Sequence, residues 1–174
     1  MSDIKIFLIG MMGAGKTSVG LTLSRVLGFP FFDTDELIGV DSYFNNHTMD
    51  EFRLEEIKQI NKISNQNDRA VISIGGGAIL SSENREIINQ NTSFFLKASI
   101  DELISRIKKQ DTGRALIDFL KNGNIDKSKF IKLYMQRENH YLDLANFIVD
   151  TDNESILNVT MKIKELLFEN EIIN

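Results

Sequence analysis

A glycine-rich segment near the start of the chain has the residue types and spacing of a loop that holds phosphate groups. Residues 10–17 read Gly-Met-Met-Gly-Ala-Gly-Lys-Thr and fit the pattern G-x-x-x-x-G-K-[ST]. Glycines let the backbone curl until successive N–H groups point at phosphate oxygens, Lys16 adds a full positive charge, and the Thr17 hydroxyl can ligate magnesium. The segment predicts nucleotide binding by Gly13, Ala14, Gly15, Lys16, Thr17 and Ser18.

Two aspartates and three glycines follow later apolar runs and suit the acceptor side of a phosphoryl transfer. Asp33 and Asp35 follow one run, and the glycines 75–77 follow another. Because neighbouring parallel strands end at one edge of a sheet, we expect these residues beside the phosphate loop. A carboxylate can orient an alcohol and take its proton, and glycines let a ligand approach the backbone. Taken alone, the aspartates could equally cap a helix, and the glycines could form only a tight turn.

The elements that must position these residues alternate along the whole chain. Short apolar runs predict strands at 4–9, 31–32, 70–74, 93–96 and 147–149. Apolar periodicity and capping residues predict helices over 17–27, 49–64, from 99 onwards, 126–145 and 155–168. Strands separated by helices indicate βαβ units and a three-layer α/β/α fold around a five-stranded, mostly parallel sheet. We see no interdomain linker and predict one domain over residues 1–174.

Composition narrows the class of protein further. The 174 residues are 42% hydrophobic and 26% charged, which favours one globular domain with a sizeable core. A net charge of −5 gives no reason to expect nucleic acid or an anionic membrane as a partner. The absence of cysteine excludes disulfides, thiolate metal sites and cysteine nucleophiles. The start of the chain lacks the features of a signal peptide, and no apolar interface face stands out, so we expect a cytoplasmic monomer.

The phosphate loop alone does not separate a switch GTPase, a motor and a small-molecule kinase. A GTPase would carry Asn-Lys-x-Asp after a late strand. The only Asn-Lys pair, Asn61-Lys62, lies inside a predicted helix, and Ile63 and Ser64 follow it. The chain also lacks an Asp-x-x-Gly switch motif. These absences argue against a GTPase.

A set of ordered motifs covering nearly the whole chain resembles the shikimate kinase family. The motifs are GMMGAGKT at 10–17, DTD at 33–35, EFRLEE at 51–56, SIGGG at 73–77 and Arg137-x-x-x-Tyr141-x-x-x-Ala145. The first is common to many families, whereas the ordered combination of the others is far more selective. The resemblance implies the P-loop kinase fold of nucleoside-monophosphate-kinase-like proteins, with strand order 2-3-1-4-5. It also implies transfer of the ATP γ-phosphate to the 3-hydroxyl of shikimate, a step of chorismate biosynthesis that gives shikimate 3-phosphate and ADP.

The resemblance further implies roles for individual residues. Asp35 would hold the acceptor hydroxyl and act as the base, with Lys16 and Arg114 completing the catalytic set. Two arginines would grip the shikimate carboxylate through their planar forks, and a glutamate would support one of them. The implied substrate-binding set is Asp35, Arg53, Glu56, Gly76, Gly77 and Arg137. Magnesium would be the cofactor, with Thr17 as ligand and Asp33 and Ser73 acting through water.

Two segments depart from the family pattern. The resemblance implies a substrate-binding insertion at about 36–64 and a lid at about 110–125 that folds Arg114 over the phosphates. The segment after Asp35 is unusually short, so part of the insertion is trimmed. The lid reads Arg114-Ala115-Leu116 where the family usually has Arg-Pro-Leu, and loss of proline should make it less stiff. Within the lid we expect at most a short helix, over 116–120.

Two other interpretations stay open at this point. One is another small-molecule kinase of the same architecture, such as a gluconate or nucleotide kinase. Two arginines that meet one carboxylate argue against a nucleobase acceptor, but gluconate also has a carboxylate. The other is a non-catalytic nucleotide-binding regulator, against which the retained base Asp35 argues. Individually, Arg137 could be a solvated surface residue and Arg53 only an ion-pair partner of Glu56.

Overall fold

Five parallel strands run through the centre of the protein, with helices on both faces. The computed structural model describes residues 3–109, 120–121 and 124–173. The strands are β1 (Ile4–Ile9), β2 (Phe31–Asp33), β3 (Arg69–Ser73), β4 (Thr92–Lys97), β5 (Leu120–Lys121), β6 (Asn124–Ile125) and β7 (Phe147–Asp150). The order in the main sheet is β2-β3-β1-β4-β7, while β5 and β6 form a separate antiparallel pair. Since β7 is the fifth strand of the main sheet, the predicted order 2-3-1-4-5 is confirmed.

Helices connect these strands. They are α1 (Lys16–Leu27), α2 (Thr34–Ile38), α3 (Val40–Tyr43), α4 (Met49–Gln66), α5 (Ser82–Asn89), α6 (Ile100–Lys109), α7 (Lys127–Leu144) and α8 (Ile156–Glu169), with a 3-10 helix at Ala78–Leu80. The predicted α1, α4, α6, α7 and α8 are confirmed. In the described part of the chain, no helix has the length and apolar character that crossing a membrane requires.

Alternate residues of the central strand build two halves of the core. Ile6 and Leu8 of β1 pack with one hydrophobic cluster, which includes residues of α1 and α8. Phe7 and Ile9 belong to a second cluster, which includes residues of α4 and α5. Successive strand residues point to opposite faces, and both faces are covered, so β1 is apolar except for Lys5.

Three helices were not predicted, and each is short or polar. Helices α2 and α3 have five and four residues, and α5 reads SENREIIN with only Asn84 and Ile88 buried. Such segments show too little apolar periodicity to be recognised. The short helix expected over 116–120 is wrong at Leu120, which lies in β5; its other residues lie outside the described part.

Strand pairing brings the functional loops to one edge of the sheet. Ser73 at the end of β3 pairs in register with Leu8 of β1 and with Asp33 of β2. The segments that follow these three strands are the phosphate loop, the start of α2 and the three glycines. They therefore meet at the carboxyl edge of the sheet, as the sequence predicts.

Candidate active site

The phosphate loop joins β1 to α1, and its backbone requires glycine at several positions. Gly13 and Gly15 have φ angles of 81° and 89°, in the left-handed region. A Cβ on Gly13 would also lie 2.9 Å from both the Leu103 carbonyl oxygen and Ile107 Cγ1. The loop is thus held in its curled form and packs closely against α6.

Lys16 folds back over this loop. Its Nζ donates hydrogen bonds to the carbonyl oxygens of Gly10 at 2.9 Å and Met11 at 3.1 Å. Burial lowers the pKa of the Lys16 ammonium, while the negative charges of Asp35 and Asp33 oppose that shift. The predicted neighbours Gly13, Ala14, Gly15, Thr17 and Ser18 lie in the same loop and in the first turn of α1.

Oxygen-bearing side chains gather beside the loop, as a magnesium site needs. The Thr17 hydroxyl donates to Asp33 Oδ2 at 2.6 Å, and Ser73 is buried and in register with Asp33. Asp33 Oδ1 accepts the Asp35 amide at 3.0 Å, so this aspartate also caps α2, as the alternative interpretation held. Hydroxyl and carboxylate oxygens are the donors that Mg²⁺ prefers, and these residues fit that cation.

Asp35 lies in the first turn of α2, and its carboxylate is close to Gly75. Its side chain is open to solvent, yet protein surrounds it on several sides. This partial desolvation raises the pKa of Asp35, the positive charge of Lys16 opposes the rise, and Asp33 adds to it. A carboxylate with a raised pKa is better suited to accept a proton than an ordinary aspartate.

The glycines 75–77 let side chains from other segments come close to the backbone. A Cβ on Gly75 would lie 2.5 Å from Glu56 Oε1 and 2.7 Å from Asp35 Oδ1. A Cβ on Gly77 would overlap the guanidinium of Arg53. None of the three has a positive φ, so close approach at Gly75 and Gly77, and not a left-handed turn, requires glycine here. The tight-turn interpretation is therefore insufficient.

Arg53 and Glu56 lie three residues apart on one face of α4. Arg53 Nη1 donates to Glu56 Oε2 at 2.6 Å. Glu56 has no exposed surface, and its Oε1 has no hydrogen-bond partner. Burial raises the pKa of Glu56 to about 7, although Arg53 opposes the shift. The ion pair that the sequence allowed is present, and it also places the guanidinium of Arg53 against Gly77.

Arg137 projects from α7 into the same region. It is only 9% exposed, so the interpretation as a solvated residue is wrong. Within the described residues it forms no ion pair, and its buried Nε has no hydrogen-bond partner. Burial lowers the pKa of this guanidinium, and the like charge of Arg53 lowers it further. Because Arg137 is a buried cation with no counter-ion among the described residues, it is suited to bind an anionic ligand.

Two residues to which the sequence assigned no role complete the neighbourhood. The Tyr141 hydroxyl donates to the Gly76 carbonyl oxygen at 2.5 Å. The sulfur of Met11 lies 3.9 Å from both Arg137 Nη1 and the Tyr141 hydroxyl. The spacing of Arg137 and Tyr141, one helical turn apart, was the signal that could have found the tyrosine. Nothing in the sequence marks Met11.

The structure therefore brings together every predicted site residue but one. Arg114 lies outside the described residues, as does most of the predicted lid. All the others surround the carboxyl edge of β1, β2 and β3, in contact with the phosphate loop or with the glycines 75–77. The arrangement combines a phosphate cradle, a carboxylate beside it and two guanidinium groups next to Gly76 and Gly77. It can bind a phosphate-bearing molecule next to a small anionic acceptor.

Comparisons with known proteins point to one family. A family model described as shikimate kinase matches residues 12–168. The chain is 34% identical to the shikimate kinase of Chromobacterium violaceum over 157 aligned residues, which cover 86% of this chain and 82% of that protein. It is 32% identical to the shikimate kinase of Francisella tularensis subsp. holarctica over 177 aligned positions, with 97% of each chain covered.

Solved structures of shikimate kinases are also similar to this chain. The shikimate kinase of Acinetobacter baumannii in complex with shikimate superposes with a TM-score of 0.84 at 26% identity, covering 98% of this chain and 96% of that one. The shikimate kinase of Bacteroides thetaiotaomicron gives 0.83 at 28% identity, covering 94% and 98%. A gluconokinase from Sinorhizobium meliloti gives 0.60 at 17% identity, covering 97% of each chain, which is a likeness of fold alone.

Proposed function

The chain belongs to the shikimate kinase family, and from that premise we propose that it transfers the γ-phosphoryl group of ATP to the 3-hydroxyl of shikimate. The products are shikimate 3-phosphate and ADP. The observation that carries this proposal is the buried guanidinium of Arg137, which forms no ion pair with any described residue. It lies beside the phosphate loop and near Arg53. A small acceptor with one carboxylate and several hydroxyls suits that site. The gluconokinase likeness, in contrast, extends only to the fold.

The acceptor is held from two sides. We assign Arg53 and Arg137 to its carboxylate, since a guanidinium fork can donate two parallel hydrogen bonds to a carboxylate. The positive charge of Arg53 lowers the pKa of Arg137, and an anion between them relieves this repulsion. The amides of Gly76 and Gly77 form no hydrogen bond within the described part of the chain, so they are available to hydroxyl groups of the acceptor.

Asp35 is the group that receives the proton. As the acceptor oxygen forms its bond to the γ-phosphorus, the bond from that phosphorus to the bridging oxygen of ADP breaks. The hydroxyl proton passes to a carboxylate oxygen of Asp35. The raised pKa of Asp35 supports this role, and Glu56 keeps Arg53 in place through their 2.6 Å ion pair.

Lys16 and the loop backbone hold the phosphates. In the structure the Lys16 ammonium is bound to two loop carbonyl oxygens, a position from which it can reach phosphate oxygens above the loop. Kinases of this family act on ATP and typically with a divalent metal. We propose Mg²⁺, held by Thr17 directly and by Asp33 and Ser73 through water. When bound, the cation neutralises charge on the phosphates.

Further assignments rest on the resemblance. We propose that Arg114 closes over the transferred phosphate as part of a lid at about 110–125, and that residues of about 36–64 form the substrate-binding insertion of a single domain. Such closure would keep water from hydrolysing ATP in place of the acceptor reaction. We also propose that the protein acts as a monomer.

An acceptor panel tests the function. ADP release is measured with Mg-ATP and matched concentrations of shikimate, gluconate or a nucleoside monophosphate. We expect turnover with shikimate alone. Turnover with gluconate alone would reassign the acceptor within the same chemistry. ATP binding without turnover of any acceptor would favour the non-catalytic regulator.

A further inference from the structure

We propose that Tyr141 is a positioning residue that orients the Gly76–Gly77 peptide for the acceptor. This inference rests on the proposed function, because it concerns the acceptor side of that site. The Tyr141 side chain has no exposed surface, so it cannot touch a ligand in the cleft. It acts through the backbone of a segment that a ligand does reach.

Two contacts fix the tyrosine ring. The ring stacks on Phe95, with centroids 5.0 Å apart and planes 25° apart, and its hydroxyl donates to the Gly76 carbonyl oxygen at 2.5 Å. Burial raises the pKa of Tyr141 well above its ordinary value, so the hydroxyl remains a donor throughout the working pH range. Tyr141 also lies one turn after Arg137 on α7, so both residues present the same helix face to the site.

The glycine segment needs such an anchor. Three consecutive glycines have more backbone freedom than any other tripeptide. The structure holds the first of them through its amide, which donates to Thr34 Oγ1 at 3.1 Å, and through its carbonyl, which accepts the Ala78 amide at 2.9 Å. The Gly76 carbonyl is held by the Tyr141 hydroxyl. Without that bond, no hydrogen bond within the described residues would hold the Gly76–Gly77 peptide itself.

Peptide geometry carries the effect from the buried side to the cleft. All peptide bonds described are trans, and in a trans peptide the carbonyl and the following N–H point in opposite directions. Holding the Gly76 oxygen towards Tyr141 therefore directs the Gly77 N–H away from the core. That N–H forms no hydrogen bond within the described residues, and Gly77 lies against the guanidinium of Arg53. Tyr141 thus aims a free donor next to one of the two acceptor-binding arginines.

The same helix offers a control for stability. Ser93 is fully buried, and its hydroxyl donates to the Leu144 carbonyl oxygen at 2.5 Å. This bond also ties α7 to its surroundings, but it lies at the last residue of α7 and touches no site residue. Ser93→Ala removes this bond together with the hydrogen bonds that join its hydroxyl to the Asn146 side chain and amide. Tyr141→Phe removes the bond to the Gly76 carbonyl and keeps the ring stacked on Phe95.

The experiment compares steady-state kinetics and urea unfolding of the wild type and both variants. We expect Tyr141→Phe to raise KM for shikimate roughly 3- to 10-fold, the equivalent of one hydrogen bond. The values of kcat and of KM for ATP should stay within about twofold, because the lost interaction is one of binding. Both variants should lower the urea midpoint, Ser93→Ala at least as much as Tyr141→Phe, because it loses more hydrogen bonds. Ser93→Ala should nevertheless leave all three kinetic constants unchanged.

Two results would overturn the positioning role. One is an unchanged KM for shikimate in a folded Tyr141→Phe protein, which would leave the tyrosine with a purely structural role. The other is an equal rise of KM in both variants, which would indicate general loosening of α7. Failure of the wild type to phosphorylate shikimate is a separate outcome, which overturns the proposed function and this inference with it.

Discussion

Two charged side chains of the site lie where burial opposes their charge. Glu56 has no exposed surface and Arg137 only 9%. Burial raises the pKa of Glu56 to about 7 and lowers the pKa of Arg137. Shifts of this kind, in residues that face one cleft, are typical of sites that bind charged molecules. The shift of Glu56 leads to a prediction about stability.

Stability should depend on pH through Glu56. Its pKa is about 7 in the folded chain, against an ordinary value of 4.5. The folded state therefore binds the Glu56 proton more tightly than the unfolded state does. The stabilisation that this proton gives the folded state is complete below the ordinary pKa of 4.5 and is lost as the pH rises through about 7. Glu56→Gln removes the titration. We expect its free energy of unfolding, relative to the wild type, to increase by about 2 kcal/mol between about pH 5 and pH 8.

Urea unfolding of ligand-free protein across this range provides the measurement. The control is Glu55→Gln on the same helix, because hydrogen bonds from Gln59 and Lys58 lower the pKa of Glu55 and keep it ionised throughout. Parallel pH profiles for wild type and Glu56→Gln would refute the raised pKa of Glu56.

Removing the base should separate chemistry from nucleotide binding. Asp35→Asn keeps the size of the side chain but cannot take the hydroxyl proton, so we expect kcat to fall by roughly 10²- to 10⁴-fold. ATP affinity, measured by calorimetry, should change little, and Glu36→Gln, at the exposed neighbouring position, should retain full activity. A comparable loss of ATP binding and turnover in Asp35→Asn would contradict the assigned role.

At the scale of the element, side chains packed against the turn after β3 restrict which residues can occupy it. Gly77 has a φ of −102°, which alanine adopts without strain, yet a Cβ there would overlap the Arg53 guanidinium. We expect Gly77→Ala to displace that arginine and raise KM for shikimate about tenfold or more, the equivalent of a lost charge-assisted hydrogen bond. KM for ATP should stay close to the wild-type value.

A second glycine gives the contrasting control. Gly28 ends α1 with a φ of 69° and has no atom within 4 Å of the position of a Cβ. Gly28→Ala should therefore cost about 1 kcal/mol of stability through backbone strain without altering KM. Kinetic constants and urea midpoints of the two variants, measured together, check both statements. Equal KM values for shikimate in Gly77→Ala and wild type would count against close packing of Arg53 on this turn.

The length and the apolar pattern of a helix or strand determine whether the sequence reveals it. The buried strand β1 and the helix α1 are long enough to carry a clear signal, and the phosphate motif lies between them. Helix α5 has only eight residues, most of them polar. Its start could have been recognised, because Ser81 accepts the Asn84 amide as an N-cap and Glu83 supplies an acidic first turn.

The sequence predicts those parts of the site in which residues close together in the chain act together. Asp33 and Asp35 follow one strand directly, and Arg53 and Glu56 share a helix face, so spacing alone places each pair. The burial of Arg137 and the contacts of Tyr141 depend on how α7 packs against loops that are distant in sequence. Tyr141 and Gly76 are 65 residues apart, and no local pattern records such a contact.

At the scale of the whole molecule, the sheet order creates the site. Strands β1, β2 and β3 are neighbours although β3 is last of the three in sequence, so the loops after them converge. Helix α7, more than 50 residues further along the chain, adds Arg137 from the side. We propose that this convergence selects shikimate and directs the phosphoryl group to its 3-hydroxyl.

Identification of the product tests that claim most directly. The protein is incubated with Mg-ATP and shikimate, and a two-dimensional ³¹P–¹H NMR spectrum records which ring proton couples to the new phosphorus signal. We expect a single phosphomonoester coupled to the proton on carbon 3, with one ADP formed for each ester. Coupling to a proton on another carbon, or ADP formed without any phosphorylated shikimate, would contradict it.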